Sequence, residues 1–184
     1  MSQFSIPEPP ISGSEEDSLV GSLDRQRRIF AWKSSDLTSA QLRMGIESSS
    51  ITIGGLIKHL ALVEHEYFRV RIAGKPPREP WSSIDFELNP TWEWHSAANN
   101  SANELLEIWH DAVKESREIL SEVCKKGGVE SLAKWSYQDG RTPSVRRFLF
   151  DLIEEYARHN GQLDLIREMI DGRVGEDPPL EFSF

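Results

Sequence analysis

Four stretches of this chain repeat apolar residues at a helical period of about 3.6, and residues that start or stop helices bound each one. The first runs from Ser14 or Glu15 to Lys33. Ser14 is a candidate N-cap, and Glu15, Glu16 and Asp17 suit the positive end of a helix dipole. Leu19, Leu23, Gln26, Phe30 and Lys33 trace its inner face, broadened by Ile29 and Trp32. The second runs from near Thr52 to Ala73, with Leu56, Leu60, Val63, Tyr67 and Val70 as its stripe and Gly74-Lys-Pro-Pro as its stop. Gly54 and Gly55 weaken its first turn but allow close approach of another segment. The third opens at Ser101, where Ser101 and Glu104 match a capping box, and closes at Gly127-Gly128. Leu105, Ile108, Trp109, Ala112, Ile119 and Val123 form its apolar side. The fourth is expected to open with Thr142 as cap and Pro143 in the first turn, and to end at Asp171 before Gly172. Its stripe reads Phe148, Leu152, Glu155/Tyr156, His159, Leu163, Ile166 and Ile170.

No segment alternates in the manner of a strand, so these four helices predict an all-α, four-helix bundle. Thr38 and Gln41 suit the cap of a short turn through Leu42. Residues 75–99 hold four prolines and three tryptophans without a sustained period, which predicts a long ordered loop between helices two and three. Residues 129–141 predict a loop or short hairpin-like turn. The expected organisation is an extended, Pro-rich N-terminal arm over residues 1–13, the bundle over 14–172, and an extended tail over 173–184.

The length suits one domain with a substantial core. A net charge of −9 without a basic block argues against a nucleic-acid backbone or an anionic membrane as partner. The single cysteine, Cys124, rules out an internal disulfide and fits a reducing cytoplasm. The first residues lack a basic region followed by an apolar run, so no signal peptide is expected. No apolar run approaches the roughly 20 residues needed to span a bilayer. There is no Gly-rich phosphate loop and no order of residues suggesting a Ser-His-Asp triad, so a small-molecule substrate is the expected partner.

Glu155 and His159 are one helical turn apart on the apolar stripe of the fourth helix, not opposite it. His59 falls beside Leu56, Leu60 and Val63 on the stripe of the second. An unpaired carboxylate in a bundle core is costly, and a divalent cation bound by all three side chains would offset that cost. Spacing alone leaves a second reading open: a hydrogen-bonded Glu155–His159 pair, with His59 an unrelated core histidine.

Two motifs add a resemblance. Ile53-Gly-Gly-Leu-Ile-Lys-His59-Leu-Ala-Leu-Val-Glu-His65-Glu-Tyr-Phe68 and Glu154-Glu155-Tyr-Ala-Arg158-His159-Asn-Gly161-Gln162-Leu-Asp164, with Arg28-Ile-Phe-Ala-Trp-Lys33, make the chain similar to the DinB-like superfamily. The likeness covers about residues 15 to 172 and is narrowest to the branch containing mycothiol-dependent maleylpyruvate isomerase. The resemblance implies a divalent metal held by His59, Glu155 and His159. Related sequences often carry a histidine where Gln162 stands; Gln162 can still bond a metal-bound water or a substrate. The isomerase also has a further C-terminal domain, whereas this chain ends at Phe184, which argues against isomerase activity itself.

Three nitrogen and oxygen ligands leave one position open, as in catalytic zinc sites; nickel, iron and manganese accept the same donors. The open position suits a low-molecular-weight thiol such as mycothiol, transferred to a small electrophile. Water activated there would instead serve hydrolysis. The third alternative is a non-enzymatic, metal-binding, stress-related bundle. Bundles also pair through an exposed helix face, so a homodimer is one assembly open to this chain, although the sequence marks no interface. Gln162, His95, Trp92 and Arg158 are the candidate lining residues, and Trp81, Trp92 and Trp94 a candidate roof. His65 and His110 are expected at the surface or its boundary, and Asp164 in a surface or interhelix ion pair. Lys125 and Lys126 would lower the pKa of Cys124, although a lone cysteine at a helix end is ordinarily inert.

Overall fold

A computed structural model describes residues 8–182 and 184. Among these residues it contains helices, turns and isolated bridges but no strand. The helices are α1 (Glu15–Ser34), α2 (Ser39–Leu42), α3 (Ile53–Glu64), α4 (Trp92–Ser96), α5 (Ala102–Lys126) and α6 (Val145–Asp171). Beyond Glu64, α3 continues as a π-helical segment, His65–Ile72. Residues 1–7 of the predicted arm lie outside the described residues.

The predicted caps of α1, α2 and α5 are formed. Ser14 with Asp17, Thr38 with Gln41, and Ser101 with Glu104 each make a reciprocal capping box. Gly172, in the left-handed conformation at φ 75°, closes α6. The start of α6 differs from expectation. Thr142 and Pro143 are outside the helix, and Ser144 is the N-cap. The Pro143 carbonyl accepts from Ala133 N–H at 2.9 Å, and Leu132 bridges Ser144, so the preceding loop holds these residues extended. The Thr142 hydroxyl is engaged with Ser136 at 2.6 Å and does not cap the helix.

Helix α1 packs most extensively on α6, and α3 on α5, while α3 also contacts α6. Leu23, Phe30, Leu56, Leu60, Trp109, Leu149, Leu152 and Leu163 are fully or nearly fully buried where these faces meet. After Leu60 the buried stripe departs from the predicted one. Glu64, Phe68 and Ile72 point inward, while Val63, Tyr67 and Val70 are only partly covered. The i→i+5 bonding of a π-helix takes more residues per turn, so positions four apart remain on one face. His65 is consequently buried, not at the boundary as expected. Its Nε2 accepts from Arg78 N–H at 3.3 Å, and burial with Arg78 nearby lowers its pKa to about 4.

Side chains from three other helices join the buried Glu64 in one hydrogen-bonded chain. Arg27 of α1 makes two hydrogen bonds to its carboxylate, each 2.7 Å. Tyr156 of α6 donates to Glu64 at 2.8 Å, and Trp109 Nε1 of α5 donates to the Tyr156 hydroxyl at 2.8 Å. Asp24 takes the remaining arm of Arg27 at 3.0 Å. One polar chain thus ties the four long helices together.

The predicted loop 75–99 carries more structure than its composition suggests: a 3₁₀ turn at Trp81–Ser83, helix α4, and a 3₁₀ turn at Ala97–Asn99. None is long enough to show a period. They are set by packing, with Trp81, Glu93 and Ala97 buried. Lys58 reaches across to this segment, donating to Asn100 Oδ1 at 2.9 Å and lying 4.1 Å from the Trp92 ring centroid.

Candidate metal centre

His59 projects from the middle of α3, and Glu155 and His159 from successive turns of α6. Their side chains meet. Glu155 Oε1 lies 3.1 Å from His59 Nε2 and 3.3 Å from His159 Nε2. One ligand atom from each residue lies within 4.8 Å of the others. The two imidazoles stand edge to face, with centroids 4.9 Å apart and an interplanar angle of 75°. The cluster grades from buried to open: the His159 side chain is 8% exposed, His59 18% and Glu155 31%.

The electrostatics follow from this crowding. Burial pulls the His59 imidazole down, but hydrogen bonds with Glu93 and Glu155 outweigh it and leave the group above its ordinary pKa. His159 is held below its ordinary value, mainly by burial. Burial raises Glu155, yet its bonds and charge interactions with the two histidines outweigh that and hold it below the usual carboxylate range.

Beyond the cluster, each ring has an oxygen at its far nitrogen. His159 Nδ1 is 2.7 Å from Gln162 Oε1, and His59 Nδ1 is 3.3 Å from Glu93 Oε1. Gln162 therefore sits behind His159, one turn along the same helix. Glu93, in the first turn of α4, did not emerge from the sequence. Its loop has no period to mark it, and an acid flanked by Trp92 and Trp94 is the sole local hint. Trp94 stacks on His59 at 4.7 Å and 23°. The close approach depends on Gly55, where a Cβ would lie 2.8 Å from Trp94 Cε3.

Other sequence candidates are placed apart from this cluster. Trp92 contacts Lys58 and Trp81. His95 is exposed and lines a surface cleft with Trp92, Leu88 and Asn99. Arg158 is exposed on α6. Asp164 pairs with the buried Lys33 of α1 at 2.8 Å, an interhelix ion pair. His110 is exposed, as expected. Burial, with Glu16 beside it, pushes the Cys124 thiol up to about 11, so the lysines that follow do not lower it, in keeping with the ordinarily inert cysteine expected at a helix end.

The donor set fits a cation. Tetrahedral zinc with bonds of about 2.0–2.1 Å separates its ligand atoms by roughly 3.3 Å. Two of the three separations, 3.1 and 3.3 Å from Glu155 Oε1, match that edge, and the cluster's ligand atoms all lie within 4.8 Å of one another. Two imidazole nitrogens and one carboxylate oxygen would hold the ion and leave a position free, with Glu155 the most exposed of the three.

No helix among the described residues is long and apolar enough to cross a membrane. None of the curated proteins matches the chain. The family model described as mycothiol-S-transferase matches residues 18–172, from the first turn of α1 to the glycine that stops α6. The chain therefore belongs to the mycothiol-S-transferase family.

Proposed function

We propose that this protein is a cytoplasmic metal-dependent transferase that joins a low-molecular-weight thiol, mycothiol or a close analogue, to a small electrophile. The observation that carries the reading is the convergence of His59 Nε2 and His159 Nε2 on one oxygen of Glu155, in a chain whose family is that of mycothiol-S-transferases. In this reading His59, Glu155 and His159 hold a divalent cation, zinc by its preference for such a three-ligand set with an open position. When bound, the cation favours the thiolate over the thiol at neutral pH, which supplies the nucleophile.

The chain's own residues set the conditions for that chemistry. Helices α3 and α6 fix the three donors on rigid elements, so the thiol sulfur meets a preorganised site. Trp94, stacked on His59, covers one face of that imidazole. Glu155, the most exposed of the three, marks the side from which thiol and electrophile enter. In the transfer a sulfur–carbon bond forms, the thiol proton passes to solvent, and the electrophile either releases its leaving group or takes up a proton.

Metal content by mass spectrometry, for wild type and His59→Ala side by side, is the first test. Close to one ion per chain, lost in the variant, is expected. Turnover of a panel of electrophiles should then require added thiol. Turnover in thiol-free buffer would replace the transferase reading with hydrolysis. A metal-loaded protein inactive on every electrophile would point to a non-enzymatic binding protein.

A further inference from the structure

The short helix α4 lies between the two long central helices in sequence, and it brings a carboxylate to the back of the cluster. Glu93 is 5% exposed, and its Oε1 faces His59 Nδ1 at 3.3 Å. Its other oxygen, Oε2, is buried without a hydrogen-bond partner among the described residues. A carboxylate half-satisfied in a core is costly, so its retention calls for a compensating positive charge nearby. Lys58 is close enough to feel that charge but donates to Asn100 and not to Glu93. His59 is the residue Glu93 engages.

A histidine that ligates through Nε2 must carry its proton on Nδ1, and an acceptor at Nδ1 selects that form and fixes the ring plane. A cation on Nε2 also withdraws electrons from the ring, making Nδ1–H a stronger donor to a carboxylate. The surrounding packing makes Glu93 stiff enough for this task. Trp94, the next residue, stacks on the same imidazole, and Trp92, the preceding one, is held under the Lys58 ammonium. The segment thus grips His59 by its ring face and its far nitrogen together.

We propose that Glu93 is a positioning residue of the metal centre, holding His59 with Nε2 directed at the cation. The inference rests on the metal reading above and extends it to a residue outside the ligand set.

Zinc affinity, measured by competition with a chromophoric chelator, tests it in wild type, Glu93→Ala and Glu93→Gln. Loss of such an outer partner weakens metal binding about 10- to 100-fold, which is the change expected for Glu93→Ala. Glu93→Gln keeps an acceptor oxygen but loses the charge, and a roughly fivefold weakening is expected. A second readout separates positioning from mere packing. In the cobalt(II)-loaded protein, the Nδ1 proton of His59 should give a paramagnetically shifted, slowly exchanging proton signal. That signal should vanish in Glu93→Ala and return in Glu93→Gln. Wild-type affinity and an intact signal in Glu93→Ala would overturn the inference while leaving the metal reading in place. Absence of zinc binding by the wild type would overturn both. Should Glu93→Ala fail to fold, Glu93→Met, which keeps most of the volume but offers no oxygen acceptor, decides in its place, and a dissociation constant equal to that of wild type with an intact Nδ1 proton signal rejects the role.

Discussion

Helices α3 and α6 each carry polar residues into the bundle interior at two neighbouring places, and the two clusters are built differently. Glu64 is five residues beyond His59, and Tyr156 is the residue after Glu155. At the first cluster Glu64 receives a guanidinium on both oxygens and a phenol on one, with Trp109 completing the chain. Its negative charge is balanced inside the protein, and its groups are fully engaged. At the second cluster Glu155 faces two imidazoles, and Glu93 stands behind one of them. No lysine or arginine pairs with either carboxylate among the described residues. The closed cluster locks four helices together. The open one concentrates donor atoms and leaves room for a positive charge from outside. Burial of polar groups is common to both, so burial alone does not mark a functional site. The presence or absence of an internal lysine or arginine counter-charge separates them.

The closed cluster should dominate stability. Replacing Arg27 with Met keeps much of the volume but strands Glu64, and breaking a buried pair in this way costs about 3–5 kcal/mol. Urea denaturation should show that loss, with metal content per folded molecule unchanged. A cost below about 1 kcal/mol would mean that Arg27 is not the charge that balances Glu64.

The open cluster should respond to metal instead. Zinc at a hundredfold excess over its dissociation constant should stabilise wild type by about 2.7 kcal/mol. Arg27→Met should show the same increment from its lower baseline, and Glu155→Ala should show none. An equal zinc increment in Glu155→Ala would remove Glu155 from the ligand set and erase the distinction between the clusters.

The sequence disclosed these two clusters unequally. Glu155, His159 and His59 stood out because polar residues interrupt apolar stripes at helical spacing, and the resemblance then joined them. Glu64 also lies on a stripe, four residues after Leu60 and four before Phe68, but an α-helical period directs attention to Val63 and Tyr67. Which of these two faces turns inward is a tertiary outcome, and the π-helical winding that starts after Glu64 keeps Phe68 and Ile72 on its side and buries His65 against expectation. Arg27 was hidden for a related reason. Its neighbour Gln26 fits the stripe equally well, yet Gln26 sits at the edge, accepting from Asn160 at 2.8 Å, while Arg27 enters the core. Capping boxes were legible because they are local, formed by residues three apart. The exception, Ser144 in place of Thr142, arises from a nonlocal bridge to Leu132. Glu93 was the least legible of all: a five-residue helix has no period, and its burial depends on Gly55 admitting Trp94.

The smallest expected effects are the sharpest comparison, because one outer hydrogen-bond partner can be removed from each cluster. Tyr156→Phe deletes the hydroxyl that links Trp109 to Glu64 and leaves the indole N–H buried without an acceptor. A stranded donor of this kind costs about 1–3 kcal/mol, and zinc affinity should not change. Gln162→Ala deletes the oxygen behind His159, on a residue that is only partly covered. Its stability should remain within about 0.5 kcal/mol of wild type, while zinc binding weakens about tenfold or more. The two variants thus move different observables, folding for one and metal for the other, although each removes a single hydrogen-bonding group beside the same helix. If Tyr156→Phe weakened zinc as strongly as Gln162→Ala, the clusters would be one coupled network. Charge balance at Glu64 would then be part of the metal site and not only of the fold.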